Sequence, residues 1–146
     1  MEQIGEGMTC CSIWRDHFFS SFLQREWDCD WIGCSILDLP ASIGELVDLM
    51  YLNAPKIKSK MLSDFLTKLS ELIYLNISGS DISALPDSIG EIKGVMHHEI
   101  SGCKSMCKLP ESFVNLKNLV HLDSSHLWRL KITAKALDGL TNISSI

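Results

Sequence analysis

The chain repeats itself. A first apolar anchor falls at Leu46, Leu69, Ile92, Leu116 and Leu140, at spacings of 23, 23, 24 and 24 residues. Three residues after each anchor stand Leu49, Leu72, Val95, Leu119 and Ile143, and six after stand Leu52, Leu75, His98, Leu122 and Ile146. A second series, Leu39, Leu62, Leu85, Leu109 and Ile132, keeps the same spacing. Self-similarity at this period marks a solenoid, in which each unit buries its apolar face only against its neighbours. His98 is the one polar residue in these slots.

The spacing within a unit sets its local structure. In "LNI", Leu75 and Ile77 are two residues apart, so both side chains face the same side of a strand. Tyr74, Asn76 and Ser78 face the other side. One such strand cannot cover its own apolar face, so the strands stack as a parallel sheet over a shared core. Each fully buried Leu or Ile contributes roughly 1.5–3 kcal/mol, enough over several residues to offset the ordering entropy of a short coil once neighbours are present. Pro40, Pro86 and Pro110 each follow the leucine of the second series. Proline's fixed φ and missing N–H suit the first residue of a short helical turn. "ASIGEL", "DSIGEI" and "ESFVNL" then cross the convex side, with Ile43, Ile89 and Phe113 pointing inward and Phe65 and Leu137 holding the same slot. The expected fold is an α/β solenoid: a right-handed leucine-rich-repeat coil, with a parallel sheet on its concave face and short helical or irregular convex segments.

Residues 34–146 hold about four to five copies, the last cut short in mid-strand at Ile146. Residues 1–33 read as an irregular segment or a degenerate copy. A shift of 46 residues matches Phe19, Leu23, Cys29, Trp31 and Leu39 with Phe65, Leu69, Leu75, Ile77 and Leu85, but sets Glu26 opposite Leu72.

Composition narrows the function. A net charge of −5 over 146 residues, with no basic run, argues against nucleic acid as a partner. No stretch of 18 apolar residues is present, so no membrane span is expected. The N-terminus lacks the apolar core of a secretory signal. The six cysteines are therefore read as free thiols and the chain as cytoplasmic.

The chemistry-bearing clusters yield to the repeat. "MHH" looks like a fragment of a nucleotide-switch motif, but it falls in strand register, and no G-x-x-x-x-G-K-[ST] occurs in the chain. His97, His98, Cys103, Cys107, His121 and His126 are metal-ligand types in neighbouring repeats, yet C-x-x-x-C is a loose spacing with no second pair. Structural thiols are the simpler reading. Asp123, Ser124, Ser125 and His126 adjoin in sequence, whereas a nucleophilic triad is defined by geometry, and an open coil offers no dry pocket. No enzyme activity, cofactor or metal is expected. The sequons at Asn76 and Asn142 are silent in the cytosol. The candidate surface is the outward row of the strands: Tyr51 and Asn53; Tyr74, Asn76 and Ser78; His97 and Glu99; His121 and Asp123. Each strand offers an aromatic or imidazole ring followed by a polar acceptor, a combination suited to protein recognition.

The segments "LPASIGEL…LMYLNA", "LIYLNISGSDISALPDSIGEI" and "ISGCKSMCKLPESFVNLKNLVHLD" resemble the leucine-rich-repeat region of plant intracellular disease-resistance receptors over roughly residues 34–146. In that family a nucleotide-binding switch domain precedes the repeats, which hold it inactive and help to recognise pathogen effectors. The resemblance implies a non-catalytic interaction fragment in defence signalling. Its implied partners are the receptor's own nucleotide-binding domain, a pathogen effector or a host signalling protein. With no switch domain in this sequence, nucleotide binding is not carried over. The alternative is a stand-alone cytosolic scaffold of the Ras-group repeat type, which shares the 23-residue "LP" register.

Overall fold

The computed structural model describes residues 28–30, 37–39, 41–62, 64–131, 138 and 140. Five three-residue strands, β1 (Asp28–Asp30), β2 (Tyr51–Asn53), β3 (Tyr74–Asn76), β4 (His97–Glu99) and β5 (His121–Asp123), form one parallel sheet in sequence order. Between successive strands from β1 onward lie short 3₁₀ turns: η1 (Ala41–Glu45), η2 (Asp64–Lys68), η3 (Asp87–Glu91) and η4 (Glu111–Asn115). This is a leucine-rich-repeat solenoid. The register follows the period: Leu52 stands opposite Leu75, Leu75 opposite His98, and His98 opposite Leu122. β1 extends the sheet, with Cys29 opposite Leu52.

The core is one continuous spine. Leu49, Leu72 and Leu119, Leu52, Leu75 and Leu122, and Ala54, Ile77 and Ile100 are all fully buried. Leu39, Leu62, Leu85 and Leu109 close the far side. A strand of three residues is stable here because its backbone bonds pass to both neighbours while its apolar residues meet the same slots above and below.

Two expectations about the convex side are corrected. Leu66, not Phe65, takes the inward slot beside Ile43, Ile89 and Phe113, and Phe65 is only half-buried. A step of 23 from Ile43 reaches 66; Phe65 belongs one place earlier and packs over Gly44, whose missing Cβ leaves room for its ring. Pro86 and Pro110 precede the helical turns and do not begin them, and Pro40 lies outside the described residues. Pro86 and Pro110 are extended, with φ of −66° each, and their carbonyls accept the N–H of Ile89 and Phe113 at 3.0 Å. Leu137 lies outside the described residues. Gly90 is required by packing, because a Cβ there would collide with the Ser112 backbone carbonyl of the next turn.

After each of β2 to β5 the chain passes through a left-handed residue. Gly79 (φ 66°) and Gly102 (φ 67°) fill this slot in two repeats, but Lys56 (φ 63°) and His126 (φ 58°) fill it in two others. The N–H of Lys56 donates to Ser78 O, that of Gly79 to Ser101 O, and that of Gly102 to Ser125 O, so one ladder fixes these three. A side chain in this region costs roughly 1–2 kcal/mol that glycine avoids. Lys56→Gly is therefore expected to raise stability by about 1 kcal/mol, read as a higher urea midpoint at unchanged slope; a lower midpoint contradicts the assignment.

Candidate functional site

The sequence predicts two rows on the outward face of the sheet, and the register sets them side by side. Tyr51, Tyr74, His97 and His121 stand opposite one another across β2 to β5, as do Asn53, Asn76, Glu99 and Asp123. Strand alternation brings this about: with Leu52, Leu75, His98 and Leu122 in the core, both neighbours of each must face outward. Tyr51 and His97 are exposed, and the other seven candidates, Ser78 among them, are half-buried.

The rings make a broken rail. The Tyr51 and Tyr74 centroids are 6.0 Å apart, as are those of His97 and His121, at tilted angles of 32° and 41°. Met50, Ile73, Met96 and Val120 border the rail at the strand entries, all at least partly exposed. Aromatic surface beside polar groups provides burial and orientation together.

The second row is partly spent on its own fold. Asn76 Oδ1 accepts the Ser78 N–H at 2.8 Å and the Ser78 hydroxyl at 2.6 Å. Asp123 Oδ1 accepts the Ser125 N–H at 3.0 Å. These side chains therefore close the turn leaving the strand. The Asp123 carboxyl is held below its ordinary pKa, first by the Ser125 N–H, then by the Ser125 and Ser101 hydroxyls and the nearby His121. The Tyr74 hydroxyl donates to Glu99 Oε1 at 3.0 Å, joining the two rows on adjacent strands. The repeat period does not reveal that cross-strand bond, since it joins residues 25 apart, just off the period.

The fold divides the metal-ligand candidates between the core and the outer surface. His98 is fully buried and packs 6.1 Å from the Phe113 ring, on the opposite face of the sheet from His97. Cys103 is buried, and its thiol donates to Ile77 O at 3.3 Å; burial pushes its pKa up and keeps it protonated. Cys107 is exposed. Among the described residues no three His, Cys, Asp or Glu side chains converge on a point a metal could occupy. His126 instead faces the Trp128 ring at 5.8 Å. No described helix is long and apolar enough to cross a membrane.

No family model matches the chain, and no curated protein matches it. Among solved structures it is similar to an LRR protein of Leptospira interrogans, at 20% identity and a TM-score of 0.58, over 82% of this chain and 36% of that one. It is also similar to the plant peptide hormone receptor RGFR1 in complex with RGF2, at 24% identity and 0.47, over 75% of this chain and 22% of that one. A third is an internalin, inlF, from Listeria monocytogenes, at 18% identity and 0.43, over 75% of this chain and 38% of that one. The chain spans well under half the length of each. The likeness to the Leptospira interrogans protein supports the fold.

Proposed function

We propose that the chain is a non-catalytic protein-interaction module whose contact surface is the two-row outward face of the sheet. The observation that supports this is the ring rail of Tyr51, Tyr74, His97 and His121 beside the acceptor row of Asn53, Asn76, Glu99 and Asp123, repeated at strand spacing. Such a face presents rigid rings and fixed acceptors with little side-chain entropy left to lose on binding. The repeats, residues 34–146, form the binding unit, preceded by residues 1–33 as an irregular segment or a degenerate copy. The chain acts in the cytoplasm as part of a plant disease-resistance receptor, and its partners are that receptor's nucleotide-binding domain, a pathogen effector or a host signalling protein. The motifs that support this are "LPASIGEL", "LPDSIGEI" and "LPESFVNL" in one register.

The test begins with the genomic sequence upstream, read for a G-x-x-x-x-G-K-[ST] motif. Where it is present, the encoded domain is purified and titrated with this chain. Binding should weaken about tenfold in the double variant Tyr51→Ala, His97→Ala, a loss typical of two partly exposed contact residues. Binding that survives the double variant unchanged removes the face from the interface. Absence of the motif favours the Ras-group scaffold instead.

A further inference from the structure

The strands are parallel and in sequence order, so every segment leaving a strand emerges along one flank of the coil, and every segment entering a strand returns along the other. The two flanks differ in charge. On the leaving flank Lys56, Lys58 and Lys60 follow β2, Lys104 and Lys108 follow β4, and Arg129 and Lys131 follow β5, all exposed. Asp81 after β3 and Asp38 after β1 are the described acidic side chains on this flank, the concave-face residues Glu99 and Asp123 aside, and Asp38 lies at its edge, outside the basic row. On the convex side and entering flank Glu45, Asp48, Glu71, Glu91 and Glu111 outnumber Lys68, Lys93 and Lys117. In the linear sequence these charges are interleaved and the total is −5; only the coil sorts them.

Backbone bonds lock the basic segments side by side. Asp81 N–H donates to Ile57 O at 2.8 Å and Ser83 N–H to Lys60 O at 2.9 Å; Cys107 N–H donates to Ser83 O at 3.1 Å and Lys131 N–H to Cys107 O at 3.0 Å. Ala84 bridges Met61 on one side and Lys108 on the other. The lysines therefore sit on a rigid ladder at successive strand spacings of about 4.8 Å. Trp128, 77% exposed and paired with His126, stands at the β5 end of the ladder beside Arg129.

We propose that this flank is a second binding surface, separate from the concave face, and that its ligand is an acidic polypeptide segment laid along the ladder. Asp81 selects this ligand over other anions. It divides the basic row into a group at β2 and a group at β4 and β5, so a uniform polyanion such as a nucleic-acid backbone or an anionic lipid surface meets a like charge at its centre. A peptide with two acidic clusters and an uncharged residue between them does not. Trp128 supplies an anchor for an apolar residue at one end, since exposed aromatics among charges are the strong contacts of protein interfaces. Opposed charge of this kind also speeds encounter and makes the affinity depend on salt.

The experiment uses the whole chain and a fluorescein-labelled peptide carrying two Glu/Asp clusters split by a short apolar spacer, followed by fluorescence anisotropy. Binding should be measurable at 50 mM salt and about tenfold weaker at 500 mM. It should fall about tenfold in Lys58→Glu, Lys60→Glu and again in Lys104→Glu, Lys108→Glu, all exposed positions whose circular dichroism should match the parent. Asp81→Lys should leave the peptide's affinity within about threefold while raising that for single-stranded RNA and phosphatidylserine vesicles. The proposal is overturned if the peptide fails to bind at 50 mM salt or if charge reversal leaves its affinity unchanged. It is also overturned if the parent chain binds RNA or the vesicles more tightly than the peptide.

Discussion

Leu75→Asp is expected to leave the chain without a cooperative urea transition at neutral pH and with the circular dichroism of an unfolded protein. Leu75 is fully buried at the centre of the sheet, with Leu52 on one side and His98 on the other. Truncating a buried leucine costs about 2–5 kcal/mol by itself. An ionised carboxylate at that point adds several more, because the one polar side chain beside the slot, His98, is neutral at this pH and already spends its Nδ1–H on Leu75 O. The sum rivals the whole stability of a domain this size, about 5–15 kcal/mol. The adjacent change, Asn76→Asp, should cost no more than about 1 kcal/mol. Its oxygen still accepts both Ser78 groups, and the small penalty comes from Glu99 directly opposite on β4. Equal losses from the two variants in parallel urea melts would show that the faces of β3 have been assigned the wrong way round.

The spine was legible because it is carried by identity of spacing. Leu52, Leu75 and Leu122 are each separated by the period or twice the period, and no knowledge of the fold is needed to see that. Adjacent apolar residues defeat the same method: Phe65 and Leu66 both satisfy a loose pattern, and only the contact with Gly44 tells which one lies over the turn. The left-handed slot after the strand was half-visible. Gly79 and Gly102 share the spacing, but Lys56 and His126 occupy the same conformation without its signature residue, Lys56 bonded there to Ser78 O. The outward rows could be read from alternation, whereas the bonds that tie them, Tyr74 to Glu99 and Asp123 to Ser125, depend on rotamers that a sequence does not specify. The basic flank was hidden for a different reason. Its basic groups come one or two repeats apart along the chain, and a linear scan for charge runs averages them with the carboxylates of the opposite flank.

His98 sets the response of the fold to acid. A carbonyl only accepts, so the 3.0 Å contact with Leu75 O requires the proton on Nδ1 and leaves Nε2 as a bare acceptor. Nε2 is buried with no hydrogen-bond partner, and the Phe113 ring lies beside it. A second proton there would create an unpaired cation in the core. Burial accordingly lowers the His98 pKa from 6.5 to about 4, the bond to Leu75 opposing the shift in part. The unfolded chain takes up this proton below pH 6.5 and the folded chain only below about 4, so stability is intact above pH 6.5 and is lost as the pH falls. Linkage gives a loss of about 2 kcal/mol at pH 5 and about 3 kcal/mol at pH 4. His98→Leu restores the residue that the other repeats carry in this slot. It should match or exceed the parent at pH 7.5, since an unsatisfied buried acceptor costs about 1–3 kcal/mol, and it should lose this component of acid sensitivity. Urea midpoints at pH 7.5 and pH 5 for both proteins decide the matter: the gap between them should widen by about 2 kcal/mol at the lower pH, and a gap that stays constant would mean that the proton taken up on unfolding belongs to some other group.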